Sequence, residues 1–157
     1  MVESALVNFQ EFRMPAIHRH ALVMHSAKNM YDLVNDVSAY SKFLPDCQDV
    51  KVIEKTDIEQ KASLLVGKGG ITKWFTTHNK MCDGKSIEIN LVDGPFKKLT
   101  GTWQFQEIDE DACKVILDLE FEFSSKLIAM AFGSVFSHMA NNMVKAFVDR
   151  ASKVYTA

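Results

Sequence analysis

The sequence predicts an α+β fold: a curved antiparallel sheet of about seven strands wrapped around a long C-terminal helix, with two short helices after the first strand. Three observations carry this. From Ser124 to Tyr155 no proline interrupts the chain, and Ile128, Phe132, Val135, Phe136, Met139, Met143, Phe147, Ala151 and Val154 recur in steps of three and four, one stripe on one helical face. Upstream, apolar and polar residues alternate with period two in run after run, the pattern of strands with one buried and one wet face. These runs follow one another through hairpin-length links, which makes a meander and not a parallel sheet.

In chain order, residues 1–13 have weak periodicity and stand directly before Met14-Pro15, so they read as a flexible leader or a non-native start, with a single domain over residues 14–157. Ala16 to Met24 reads as a strand. Ser26 is placed to cap a short helix carrying Met30, Leu33, Val34 and Val37 at helical spacing. A second short helix or turn carries Tyr40, Phe43 and Leu44 and is stopped by Pro45. Strand-like runs follow at Val50–Lys55, Lys61–Gly67 and, more weakly, Thr72–Met81. Asp83-Gly84 is a hairpin signal, because both residues tolerate positive φ. Ile87, Ile89 and Leu91 then alternate with polar residues, as do Trp103 and Phe105, and Val115, Leu117, Leu119, Phe121 and Phe123. Asp109-Glu110-Asp111 forms the turn between the last two strands.

The terminal helix is expected to be continuous, roughly 45 Å long at ~1.5 Å per residue, with Ser124 as its N-cap. Lys145, Arg150 and Lys153 lie late, where cations suit the negative end of the helix dipole. Gly133 inside it marks either a bend or portal, or a close approach of helix to sheet.

The totals limit the function classes. A chain of 157 residues with net charge −2 has no global basic field, so any nucleic-acid contact must rest on a local patch. Cys47, Cys82 and Cys113 are an odd number with no CxxC pair, which argues against a disulfide framework and fits a reducing, cytoplasmic compartment. No apolar run approaches the roughly 20 residues of a membrane span. His18 and His20 share a strand face but lack an obvious third ligand, so no metal is expected. No Ser-His-Asp order, glycine-rich phosphate loop or carboxylate pair stands out, and no catalytic residue is assigned.

The segment Leu91-Val92-Asp93-Gly94-Pro95-Phe96-Lys97-Lys98-Leu99, followed by Gly101-Thr102-Trp103-Gln104-Phe105, resembles the RatA ribosome-association-toxin family and the related coenzyme Q-binding proteins of the START-like (polyketide cyclase/lipid-transport) superfamily. Tyr31 to Val37, Tyr40 to Cys47, and Phe121 to Phe136 are similar to further parts of the same family. This sequence departs from the family at Ser41, often proline there, and at Asp46, often glycine or tryptophan. The resemblance implies a helix-grip fold and a non-enzymatic binding protein that associates with the large ribosomal subunit and hinders subunit joining. Its alternative implication is a binder or chaperone of a lipophilic ligand supporting respiration, with ubiquinone the first candidate guest and no cofactor required.

Under the rival, the pocket between sheet and helix would be lined by Leu91, Phe96, Trp103, Phe105, Phe121, Phe132, Phe136, Met139 and Met143, aromatics and pliable methionines suited to a flat or flexible guest. The same residues also read as plain core. Under the first reading, Phe96, Lys97 and Lys98 on the Asp93–Lys98 turn, together with Lys145, Arg150 and Lys153, would form an aromatic and basic surface for RNA phosphate. At most a peripheral membrane contact, and no DNA, is expected.

Overall fold

The computed structural model describes residues 16–155; the expected leader at residues 1–13 and the domain start at Met14 lie outside the described residues. Seven strands form one antiparallel sheet: β1 (Ala16–Val23), β2 (Cys47–Lys55), β3 (Glu59–Lys68), β4 (Ile71–Cys82), β5 (Ser86–Asp93), β6 (Phe96–Asp109) and β7 (Ala112–Phe123). Their spatial order is β1-β7-β6-β5-β4-β3-β2. Strands β2 to β7 are thus successive hairpins, and β1 closes the meander beside β7. The helices α1 (Ala27–Asn35) and α2 (Tyr40–Phe43), separated by a 3-10 turn at Val37–Ala39, carry the chain from β1 to the opposite edge.

Each link has a local cause. Ser26 caps α1, its Oγ accepting from Asn29 N at 3.0 Å. After Pro45, Asp46 takes φ +64°, a left-handed conformation that Asp tolerates and that explains why glycine also suits this position. Gly84 in the Asp83-Gly84 hairpin takes φ +71°. Register shifts in β2, β5 and β6 add bulges, which bend a sheet. In mid-β6, a Cβ on Gly101 would stand 2.7 Å from Asp118 O, so the residue permits a close approach of backbone there.

The terminal helix differs from expectation in two respects. Its N-cap is Ser125, not Ser124: the Ser125 Oγ accepts from Ile128 N at 3.1 Å. Ser124 N instead donates to Pro95 O at 2.9 Å and belongs to the end of the sheet. The helix is also broken, into α3 (Lys126–Asn141) and α4 (Met143–Val154). At the break the side-chain amide of Asn141 donates to Ser137 O at 2.9 Å and that of Asn142 to His138 O at 2.8 Å. Asn side chains that return to backbone carbonyls offer the chain an alternative to the regular ladder. At Gly133 the helix continues without interruption. A Cβ there would meet the Phe123 ring at 3.3 Å, so this glycine serves close approach.

The core lies between the inner sheet face and the helices. Met30, Val34, Phe132, Phe136, Met139, Ala140 and Phe147 press onto Val66, Leu99, Leu117 and Phe121, all essentially without solvent access. Tyr155 closes the far end, its hydroxyl donating to Asn29 O at 3.0 Å.

Candidate functional site

A curved sheet cannot follow a helical cylinder everywhere, and a cavity of about 60 Å³ remains between them. Its floor is the middle of the sheet: Leu64 on β3, Phe75, Thr77 and Asn79 on β4, Ile87 on β5, Leu99 and Trp103 on β6, and Leu117 and Leu119 on β7. Its roof is Phe136, Met139 and Ala140 of α3 with Met143 at the start of α4. Val34, Val37 and Tyr40 close one side.

The walls are apolar apart from one polar strip. Thr77 Oγ1 donates to Asn79 Oδ1 at 3.1 Å. Opposite Asn79 in the strand register stands Gln60, only 1% exposed, whose amide donates to Asn35 O at 3.1 Å while its Oε1 finds no partner. The Tyr40 hydroxyl donates to Val34 O, and burial pushes its pKa far above the ordinary phenol range. It is therefore a satisfied neutral donor, not a proton-transfer group. Burial also raises the thiols of Cys47, to about 11, and Cys113. Among the described residues no group of three or more His, Cys, Asp or Glu gathers to hold a metal ion. His18 pairs with Asp118 on the outer sheet face.

Of the nine residues expected to line a pocket, Trp103, Phe136, Met139 and Met143 do so. The other five stand elsewhere. Phe96, Phe121 and Phe132 join Phe75, Phe123 and Phe136 in a packed aromatic cluster at the end of β7, with ring centroids as close as 4.8 Å (Phe96 to Phe136) and 4.9 Å (Phe121 to Phe136). Phe105 packs edge-on to Tyr31 at 5.8 Å, and Leu91 is half-buried on β5. Sequence reasoning missed Thr77 and Asn79, because β4 alternates weakly. Their shared parity with Phe75 was the available signal.

The expected partner surface is not brought together. Phe96 is 5% exposed and faces the aromatic cluster, so it is not presented to a partner; its pairing with Phe123 turns it inward. Lys97 is exposed, and Lys98 is held by Glu120 at 3.2 Å. Lys145 is paired with Asp149 at 2.8 Å, Arg150 lies over the Phe43 ring at 5.2 Å, and Lys153 is exposed. Lys97 and Lys98 sit at the Phe123 end of β7. The end of α4, tied through Tyr155 to α1, sits by the Cys113 end, about 30 Å away at ~3.3 Å per strand residue.

The chain matches the family model "Polyketide cyclase / dehydrase and lipid transport" over residues 23–148. It is 50% identical over 147 residues to the Ribosome association toxin RatA of Escherichia coli K12, covering 94% of this chain and 93% of that protein. It is 30% identical over 146 residues to the mitochondrial coenzyme Q-binding protein coq10 of Schizosaccharomyces pombe, covering 88% of each. Among solved structures, the Zhui aromatase/cyclase from Streptomyces sp. R1128 superposes with a TM-score of 0.78 at 16% identity, covering 92% of this chain and 98% of that one, a likeness of fold alone. A seven-stranded sheet gripping a C-terminal helix, a family match over most of the length and half-identity to RatA have one meaning: the chain belongs to the polyketide cyclase/dehydrase and lipid-transport family and, within it, groups with the ribosome association toxins.

Proposed function

We propose that this chain is a non-catalytic, cytoplasmic binding protein that associates with the large ribosomal subunit and hinders joining of the small one. The observation that carries the reading is the 50% identity, over nearly the full length of both chains, to a protein named for ribosome association. Identity to the coenzyme Q-binding relative is much lower, 30%. The cavity supports the same order. A dry cavity of ~150 Å³ accommodates benzene, so one of about 60 Å³ holds a few waters but not a substituted quinone ring. No described helix is long and apolar enough to cross a membrane.

The test is subunit joining. Purified 30S and 50S particles are mixed at joining magnesium concentrations with and without the protein and resolved on a sucrose gradient. The reading expects fewer 70S particles and protein in the large-subunit fractions; unchanged joining with free protein at the top of the gradient contradicts it.

The second reading, a lipophilic-ligand binder with ubiquinone as guest, is favoured by the apolar roof and floor around Trp103, Phe136 and Met139. It requires α3 to lift from the sheet. Organic extraction of the purified protein followed by mass spectrometry distinguishes it, since a stoichiometric quinone or lipid is expected only under this reading.

A further inference from the structure

The charge of the sheet is divided along its strands. From Cys47 to Cys82, β2–β4 and their turns carry six lysines against Asp49, Glu54, Asp57 and Glu59, an excess of two positive charges. From Ser86 to Phe123, β5–β7 and their turns carry three lysines against nine carboxylates, an excess of six negative charges. The outer face of β5–β7 holds a groove lined by Glu88, Asp118 and Glu120, which repels phosphate. The near-neutral total hides this polarity, and within the sheet a polyanion meets favourable potential at the β2–β4 end.

At that end one aromatic faces outward. Trp74 alternates on β4 with Phe75 and Thr77, which point to the core, and it is 37% exposed. Lys51 of the edge strand β2 holds its ammonium 4.5 Å from the indole centroid. Beside them Ser63 and Thr76 share a hydroxyl–hydroxyl bond of 2.5 Å. Lys61 lies further along the same face of β3, opposite Glu54 but without an ion pair to it, and Lys68 stands at the β3–β4 tip. Among the described residues Lys51, Lys61 and Lys68 form no salt bridge, unlike Lys98 and Lys145.

We infer that the outer face of β2–β4 is an RNA-contact surface, on which Trp74 stacks an unpaired base and Lys51 and Lys61 engage the flanking phosphates. An aromatic plate on a sheet, rimmed by unpaired cations, suits single-stranded RNA, because every base offers a π-face and every linkage a charge. A duplex cannot present a base to Trp74, so the target is a loop or bulge. The inference deepens the ribosome-association reading and rests on it for the identity of the RNA.

The test measures anisotropy of a fluorescein-labelled twelve-nucleotide oligoadenylate titrated with the wild type, Trp74→Phe, Trp74→Ala and Lys51→Glu, in parallel with sedimentation of each protein with 50S particles. Expected are a salt-dependent affinity, near-wild-type binding by Trp74→Phe, and about tenfold weaker binding by Trp74→Ala and by Lys51→Glu. Equal affinities across the set, no binding of the oligonucleotide by the wild type, or a loss seen only with phosphatidylglycerol vesicles in place of RNA, overturns the surface. If all four proteins sediment alike with 50S particles and bind the oligonucleotide alike, the ribosome reading survives without this surface. Oligonucleotide binding that depends on Trp74, with no sedimentation, keeps the surface and removes the ribosome.

Discussion

Arg19 donates from its guanidinium to Asn141 Oδ1 across 2.7 Å, so the first strand holds the last residue of α3 at the point where the terminal helix breaks. Both side chains are solvent-accessible, and the contact contributes on the order of 1 kcal/mol or less to global stability. Its effect is local. Arg19→Ala is expected to speed amide hydrogen exchange at Asn142 and Met143 several-fold, with protection in β6 and β7 unchanged. Uniform loss of protection across the sheet, or none at the break, would show that Arg19 does not hold this junction.

Phe136 is the shared member of the aromatic cluster, touching the rings of Phe75, Phe96, Phe121, Phe123 and Phe132. It also roofs the cavity. Phe136→Ala removes a fully buried ring from a tightly packed site, and a loss of about 3–5 kcal/mol is expected in urea unfolding. A loss below about 1 kcal/mol would mean that α3 is not clamped to the sheet.

The three thiols should separate by reactivity. Cys82 is exposed at the end of β4, whereas Cys47 and Cys113 are buried and their acidities are lowered by burial, so little thiolate forms at neutral pH. A colorimetric thiol reagent at pH 8 is expected to titrate one group within minutes and the other two only after addition of denaturant. Fast reaction of all three in the native protein would contradict the packing of β2 against the helices and of β1 on β7.

Tyr40 predicts the alkaline limit. Burial holds its proton in the folded state far above the ordinary phenol range, while the unfolded residue ionises near pH ~10. The stabilisation is therefore complete below pH ~10 and declines as pH rises beyond it. Tyr40→Phe is expected to cost about 1 kcal/mol at pH 7 through loss of the hydrogen bond to Val34 O, and to flatten the decline above pH ~10. Tyr31, Tyr155, Cys47 and Cys113 are shifted in the same direction and contribute to the remaining slope. An identical alkaline slope in wild type and variant would show that Tyr40 is not sealed in the folded protein.

How much was legible varies with the length scale of the signal. The alternation Val115-Leu117-Leu119-Phe121 is a property of neighbouring residues, and every one of these side chains points into the core. Yet Leu117 and Leu119 line the cavity while Phe121 is packed solid two residues on. Period two names the face of a strand but not the position along it where the helix stands off. For the same reason, Phe96 and Phe105 share a strand with Trp103 without sharing its cavity. The break at Asn141-Asn142 had a sequence signal in the paired Asn residues, overridden by the strong apolar stripe on either side.

By itself the sequence determined the faces: which side chains turn inward, where the chain turns, and that a one-sided sheet needs the terminal helix as its partner. It also carried the net charge. Only the tertiary structure decided the depths and the distances: that the gap under α3 is about 60 Å³, that Phe96 is inside, that Lys97 and Lys153 lie at opposite ends, and that Lys51 meets Trp74. The physical reason is that facing direction follows from backbone periodicity within a few residues. Cavity size and charge polarity arise from strands brought side by side by register and sheet curvature, and those are set jointly by every hairpin in the meander.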